Sequence, residues 1–222
     1  MMRSGEKSMN EEQIREEIIR YFKKSYELGF VNMFEGNLSA RVGDRVLITP
    51  SQKNKEQVTP DMLSELSLEG EILSNTGSRP SSEYRMHLAL YRLRPDIQAV
   101  VHVHSPFATA WALNGRAIRG DLAEVYMFFG GEIPVCGYGT PGTDQVFTDF
   151  GRYFVNEDKD TVLLANHGLV AGAGSVEQAF AKAEAAEKLA KILSIAQLTG
   201  KPHHLTEREK SALLAKYRAS RR

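Results

Sequence analysis

The stretch Val100-Val101-His102-Val103-His104-Ser105 constrains this chain more than any other. Ile97 to Val103 reads as a strand. On a strand, residues i and i+2 face the same way, so His102 and His104 present two imidazoles side by side from one rigid element. Two neutral imidazoles suit a borderline metal such as zinc, although hydrogen-bonded or surface histidines satisfy the same pattern. Asn166-His167-Gly168 shifts the balance. His167 follows the apolar run Val162 to Ala165 and stands between a polar residue and a glycine, a plausible place for a third ligand. Three histidines with one position left open is the pattern of a catalytic zinc site.

The remaining chain supplies short elements of both kinds. Asn10 and Gln13 resemble a capping pair, and Ile14, Ile18, Phe22 and Tyr26 recur at helical spacing until Gly29. Leu38 to Ile48 reads as a hairpin about Gly43-Asp44, and Leu66 to Leu73 as another about Glu69-Gly70. Thr59-Pro60 opens a brief helical turn. Ser81-Ser82 caps a helix that Pro95 stops, and a short apolar helix spans about Pro106 to Leu113. A strand near Ile133 to Cys136 precedes a helix from about Thr143 to Val155. Thr161 to Leu164 reads as a buried strand and Leu169 to Ala173 as its continuation after a kink. Ser175 then caps the longest helix, to about Leu198, and a polar helical tail follows Gly200-Lys201-Pro202. This order suggests mostly antiparallel strands with helices on both sides.

Composition excludes several classes of function. Lys plus Arg and Asp plus Glu are both 28, so the net charge is zero and nothing favours a nucleic-acid or anionic membrane partner. No apolar run approaches the roughly 18 residues of a membrane span, and the charged amino-terminal thirty residues contain no apolar signal region. A single cysteine, Cys136, fits a reducing cytoplasm. The 222 residues suffice for one domain, with a core over about 10–200.

Two further motifs are suited to an anion. At Pro80-Ser81-Ser82-Glu83, the unpaired amides and the dipole of a helix start favour negative charge, although a plain cap with an acidic residue in the first turn is the simpler account of the serines. Glu83 is placed to act as a general base given a raised pKa, and His87, one turn below, reads as a packing residue. Gly36-Asn37-Leu38-Ser39-Ala40-Arg41 and Thr49-Pro50-Ser51 open and close the first hairpin, where glycine lets backbone amides approach a ligand, or simply makes a turn.

Taken in order, these five motifs resemble the class II aldolase/adducin family over about residues 10–200. The resemblance implies a three-layer α/β/α sandwich around a largely antiparallel sheet, assembled as a homotetramer with active sites between subunits. It further implies one zinc ion per subunit on His102, His104 and His167, with Glu83 as catalytic acid/base. Gly36, Asn37, Ser51, Ser81 and Ser82 would bind the substrate and its phosphate. The implied reaction is reversible retro-aldol cleavage of a ketose 1-phosphate, such as L-fuculose 1-phosphate, to dihydroxyacetone phosphate and an aldehyde through a metal-stabilised enediolate. Tyr126 falls near the family's proton-donating tyrosine, with Glu124 a rival by spacing and an interface aromatic the alternative. Tyr217 is the late tyrosine that could reach a neighbouring subunit, or a helix-face residue.

Two positions depart from the family. Gln52 follows Thr-Pro-Ser where glycine is common, and Phe34 stands where phosphate-binding members carry threonine. They signal an altered substrate shape or a substrate without phosphate. A decarboxylase of the same fold is a further alternative, and a methylthioribulose-phosphate dehydratase would use the same three histidines and a glutamate. A non-catalytic adducin-like module would need none of them.

Overall fold

A computed structural model describes residues 9–74 and 76–220, so the first residues of the charged amino-terminal segment lie outside it. Helix α1 (Glu11–Glu27) starts at a reciprocal cap: the Asn10 side chain accepts from the Gln13 amide at 2.9 Å, and the Gln13 side chain accepts from the Asn10 amide at 3.0 Å. Strands β1 (Asn37–Val42) and β2 (Arg45–Ile48) form the first hairpin, and β3 (Ser64–Ser67) joins β2. The second hairpin is cut short. Past Glu69-Gly70 only one bridge forms, Leu66 to Ile72, because Ile72 and Leu73 are exposed and have no core to bury against.

Helix α2 (Tyr84–Leu93) begins after the expected serine cap: Glu83 occupies the cap position, and Ser81 Oγ accepts from the Glu83 amide at 3.3 Å in the preceding turn. Thr59 likewise makes no side-chain cap to the 3-10 turn Pro60–Met62. Strand β4 (Ala99–Val103) leads through Ser105 into α3 (Pro106–Leu113), α4 (Ala123–Phe129) and β5 (Val135–Cys136). The expected helix over Thr143–Val155 is instead a 3-10 turn at Asp144–Phe147 and a π-helical turn at Gly151–Asn156. Gly151 weakens helix at its middle, and the Asp149 carboxylate is held by the Gly137 amide at 2.7 Å.

Strands β6 (Thr161–Leu164) and β7 (Gly168–Ala173) are not one kinked strand but an antiparallel hairpin, with Leu164 opposite Gly168. Asn166 takes φ +57°, a left-handed conformation that asparagine tolerates better than most residues, and this reverses the chain. Ser175 caps α5 (Val176–Thr199), and α6 (Glu207–Ser220) packs on α4.

The sheet order is β3-β2-β1-β4-β7-β6-β5, antiparallel except for β5 beside β6. Period-two alternation divides the core between its faces. Ala99, Val101, Val103, Leu169 and Ala171 pack with α1, α3 and α5. Val100, Val162 and Val170 pack with Met86, Leu90 and Tyr91 of α2 and with Phe150 and Phe154. The result is the α/β/α sandwich, with β4 at its centre. Among the described residues no helix is long and apolar enough to cross a membrane.

One buried acid ties this frame to the histidines. Glu187 of α5 accepts from the amides of Phe107 at 2.9 Å and Ala108 at 2.8 Å, satisfying the open first turn of α3 directly after His104-Ser105. Glu187→Ala removes both acceptors from buried donors and should lower stability by about 2–3 kcal/mol, read as a fall in the urea midpoint. An unchanged midpoint would show that the contact is dispensable.

Candidate functional site

Parity along β4 aims His102 toward the α2 face, and His104, two residues on, follows it just past the strand end. The β6–β7 turn brings His167 to the same point. The three ring centroids lie 4.8, 4.8 and 4.9 Å apart with planes inclined 65–72°, a near-threefold propeller. Glu83, at the start of α2, closes the open side. Its Oε2 is 3.2 Å from His102 Nε2 and its Oε1 is 3.1 Å from His167 Nε2. One donor atom from each of the four residues lies within 4.8 Å of every other.

Two glycines make this approach possible. A Cβ on Gly168 would stand 2.6 Å from the Val103 carbonyl oxygen and 2.9 Å from the His104 ring. A Cβ on Gly36, at φ +69°, would stand 2.9 Å from the His102 carbonyl oxygen. Gly36 therefore seats the backbone of a histidine.

The electrostatics call for a cation at the centre. Burial raises the Glu83 pKa, but the charge of His102 and the close approach of His102 and His167 outweigh it and hold the carboxyl well below the usual range, opposite to the raised value expected of a general base. Burial likewise lowers His102, and the Glu83 carboxylate more than compensates. His104 is pushed down to about 3 by burial and by the other two histidines. Lys55 adds positive potential there. It is buried over the Phe22 ring at 4.4 Å, and burial takes its own pKa down to about 8.

A metal fits this donor set. The Nδ1–H of His102 donates to the Leu169 carbonyl at 3.0 Å, so that in the neutral ring a bound metal would require, Nε2 is the lone pair, 2.9 Å from His104 Nε2. One proton between those nitrogens serves only one of them, whereas a central cation serves all three rings and the carboxylate. His167 Nδ1 is buried without a hydrogen-bond partner.

The serine motifs gather at a neighbouring cleft. Pro50 bridges to Pro80, the Ser51 amide donates to the Arg79 carbonyl at 2.9 Å and the Ser81 amide to the Thr49 carbonyl at 3.1 Å. A cavity of about 620 Å³ opens there, lined by Ser51, Ser81 and Ser82 together with the cations Lys53 and Arg79. Gln52 adopts φ +52°, so this chain keeps the left-handed backbone that glycine favours. Phe34 is exposed beside Glu35, whose carboxylate lies 3.9 Å from His104 Nδ1.

Other expected residues go elsewhere. Asn37 does not stand free for phosphate: its Nδ2 donates to Glu83 Oε2 at 2.9 Å. Tyr126 donates its hydroxyl to Asp121 at 3.0 Å, beside the tail contacts of His204 and Lys210, and is not gathered with the histidines. Tyr217 packs on Gly130 at the end of α4. His87, expected as a packing residue, is buried behind Glu83 as a hydrogen-bonding one, with Ser39 and Tyr91, to which the sequence assigned no role. Spacing carried that signal, since Glu83, His87 and Tyr91 repeat every four residues along α2 and Asn37 and Ser39 alternate on β1.

Comparison with known proteins agrees with this geometry. Residues 16–194 match the family model of the class II aldolase and adducin N-terminal domain. A 5-deoxy-D-ribulose 1-phosphate aldolase of Bacillus thuringiensis serovar kurstaki is 37% identical over 91% of this chain and 94% of its own. A 3-oxo-tetronate 4-phosphate decarboxylase of Escherichia coli (strain K12) is 34% identical over 83% of this chain and 88% of its own. The solved structure of an L-fuculose 1-phosphate aldolase superposes with a TM-score of 0.85 at 30% identity, over 95% of this chain and 98% of that one. Those relatives exclude the non-catalytic reading. With the donor cluster and the sandwich that carries it, they establish that the chain belongs to the class II aldolase/adducin family of metal-dependent enzymes and is a lyase.

Proposed function

We propose that this enzyme is a zinc-dependent aldolase that reversibly splits a ketose 1-phosphate into dihydroxyacetone phosphate and an aldehyde. The observation that carries the reading is the convergence of three imidazoles and the Glu83 carboxylate within 4.8 Å, beside a cationic cleft. The relatives named for 5-deoxy-D-ribulose 1-phosphate and L-fuculose 1-phosphate support it, since both names describe a ketose 1-phosphate.

His102, His104 and His167 would hold the ion, which when bound supplies Lewis acidity toward the substrate carbonyl and its neighbouring hydroxyl. Ser51, Ser81, Ser82, Lys53 and Arg79 would take the phosphate through hydroxyls and two positive charges. Glu83, anchored at Oε2 by Asn37, would return a proton to the carbon that loses its partner in cleavage and remove it in synthesis. Exposed apolar side chains at Phe34, Leu113, Phe128 and Leu198 fit the homotetramer of the family resemblance, and the lone buried Cys136 fits a cytoplasmic enzyme.

A coupled assay for dihydroxyacetone phosphate, run on a panel of ketose 1-phosphates with and without chelator, tests the reaction. Chelator-sensitive release is expected. Silence on the whole panel, with carbon dioxide released from a 3-oxo acid phosphate, would transfer the enzyme to the decarboxylases, the reading its 34% identical relative favours. His102→Ala and His104→Ala should lose bound zinc by elemental analysis yet keep the fold by circular dichroism, and full occupancy in either removes that ligand. Glu83→Gln should keep zinc and lose most turnover, because an amide cannot exchange the substrate proton; wild-type rates would place the base elsewhere. Arg79→Ala should raise KM for the phosphorylated ketose by about tenfold with little change in kcat, the loss of roughly one charge-assisted contact. An unchanged KM would take the phosphate out of this cleft.

A further inference from the structure

Behind Asn37, which anchors Glu83, lies a chain of buried polar side chains to which the proposed reaction gives no role. Asn37 Oδ1 lies 2.5 Å from His87 Nε2, His87 Nδ1 lies 2.7 Å from Ser39 Oγ, and Ser39 Oγ lies 2.7 Å from the Tyr91 hydroxyl. Asn37, Ser39, His87 and Tyr91 are all nearly or fully inaccessible to solvent.

Counting donors and acceptors fixes every proton in this chain. An ionised Glu83 only accepts, so Asn37 must turn its amide nitrogen to Oε2 and its oxygen to His87. His87 must then carry its proton on Nε2. Its Nδ1 is left as an acceptor, which takes the Ser39 hydroxyl proton. Ser39 has no second proton, so the Tyr91 hydroxyl donates to it. A doubly protonated His87 would break this order, and complete burial opposes that charge, holding the ring's pKa down near 3.

The opposite tautomer of His87 has a physical consequence. A lone pair on Nε2 would face the Asn37 oxygen, and the amide would turn over to relieve the clash. Its oxygen would then confront the Glu83 carboxylate at 2.9 Å. In that tautomer the His87 Nδ1–H would donate to Ser39 Oγ, and of the two facing hydroxyls, Ser39 and Tyr91, one would be left with a buried proton that has no acceptor in this chain.

We propose that Tyr91, Ser39 and His87 form a one-way hydrogen-bond relay whose fixed polarity orients the Asn37 amide and thereby aims the Glu83 carboxylate. They are positioning residues: none touches the donor cluster, and each acts through the next. The activity arm of the test rests on the aldolase reading, and the spectroscopic arm does not.

Long-range proton–nitrogen correlation on histidine-labelled protein reads the tautomer, with His87→Gln assigning the signal. A His87 protonated on Nε2 is expected in the wild type, with a mixture of tautomers in Ser39→Ala. A wild-type ring protonated on Nδ1 overturns the relay whatever the substrate. For activity, Ser39→Ala should lower kcat by about tenfold with KM within about twofold and zinc content unchanged, while Ser39→Thr, which keeps the hydroxyl, restores most of it. Wild-type kcat in Ser39→Ala, or an equal loss in Ser39→Thr, overturns the proposal. A wild-type enzyme that releases no dihydroxyacetone phosphate, yet keeps His87 protonated on Nε2, removes the aldol reading and supports the relay.

Discussion

A carboxylate withdrawn from water must be met by donors or by a cation, and the buried end of Glu83 sets that demand for the whole site. Every neighbouring element answers part of it. β1 contributes Asn37, β4 contributes His102, and the β6–β7 turn contributes His167. Leave any of these out and Glu83 loses part of its compensation. Because β4 lies between β1 and β7, one carboxylate reaches Asn37 on β1, His102 on β4 and His167 in the turn that leads into β7.

The precision of the site comes from backbone ladders. His102 stands opposite Asn37 on one side and Val170 on the other, so its position is fixed by two registers at once. A one-residue slip in either pairing would turn the imidazole to the other face of the sheet. Side chains finish what the ladders begin. The Leu169 carbonyl selects the His102 tautomer, and Glu187 pins the helix that starts just past His104. Gly36 and Gly168 contribute only the absence of a Cβ, which lets backbone and ring come closer than any other residue would allow.

Legibility in the sequence tracked the range of the interactions. The capping pair at Asn10 and Gln13, the Gly43-Asp44 hairpin and the His102/His104 strand are local, and each formed where its residues predict. Where packing decides, local reading failed. Nothing near Asn166 distinguishes a kinked strand from a hairpin until β7 finds β4, and the helix expected over Thr143–Val155 gives way to the Gly137–Asp149 contact. Ser81 and Ser82 looked like a cap, but the helix starts later because the loop is stitched to Thr49 instead. The relay behind Glu83 was half visible. Its spacing on α2 is regular, yet only the β1–β4 pairing shows that Asn37 and Ser39 face that helix.

The two ends of the site differ in how they are held, and this bears on what each can change. Ladders and buried hydrogen bonds fix the histidine end, where Glu83 meets its partners at 2.9–3.2 Å. The serine end rests on loops joined by the single Pro50–Pro80 bridge, with Lys53 and Arg79 reaching in from exposed positions. Gln52 illustrates the tolerance there: a residue with a Cβ holds a left-handed backbone at φ +52°. Holding a non-glycine residue in that conformation costs of order 1 kcal/mol, which the stitched loops can absorb. The more loosely held end is thus the one that would face a ligand's outer groups, while ladders hold the donor cluster beneath it.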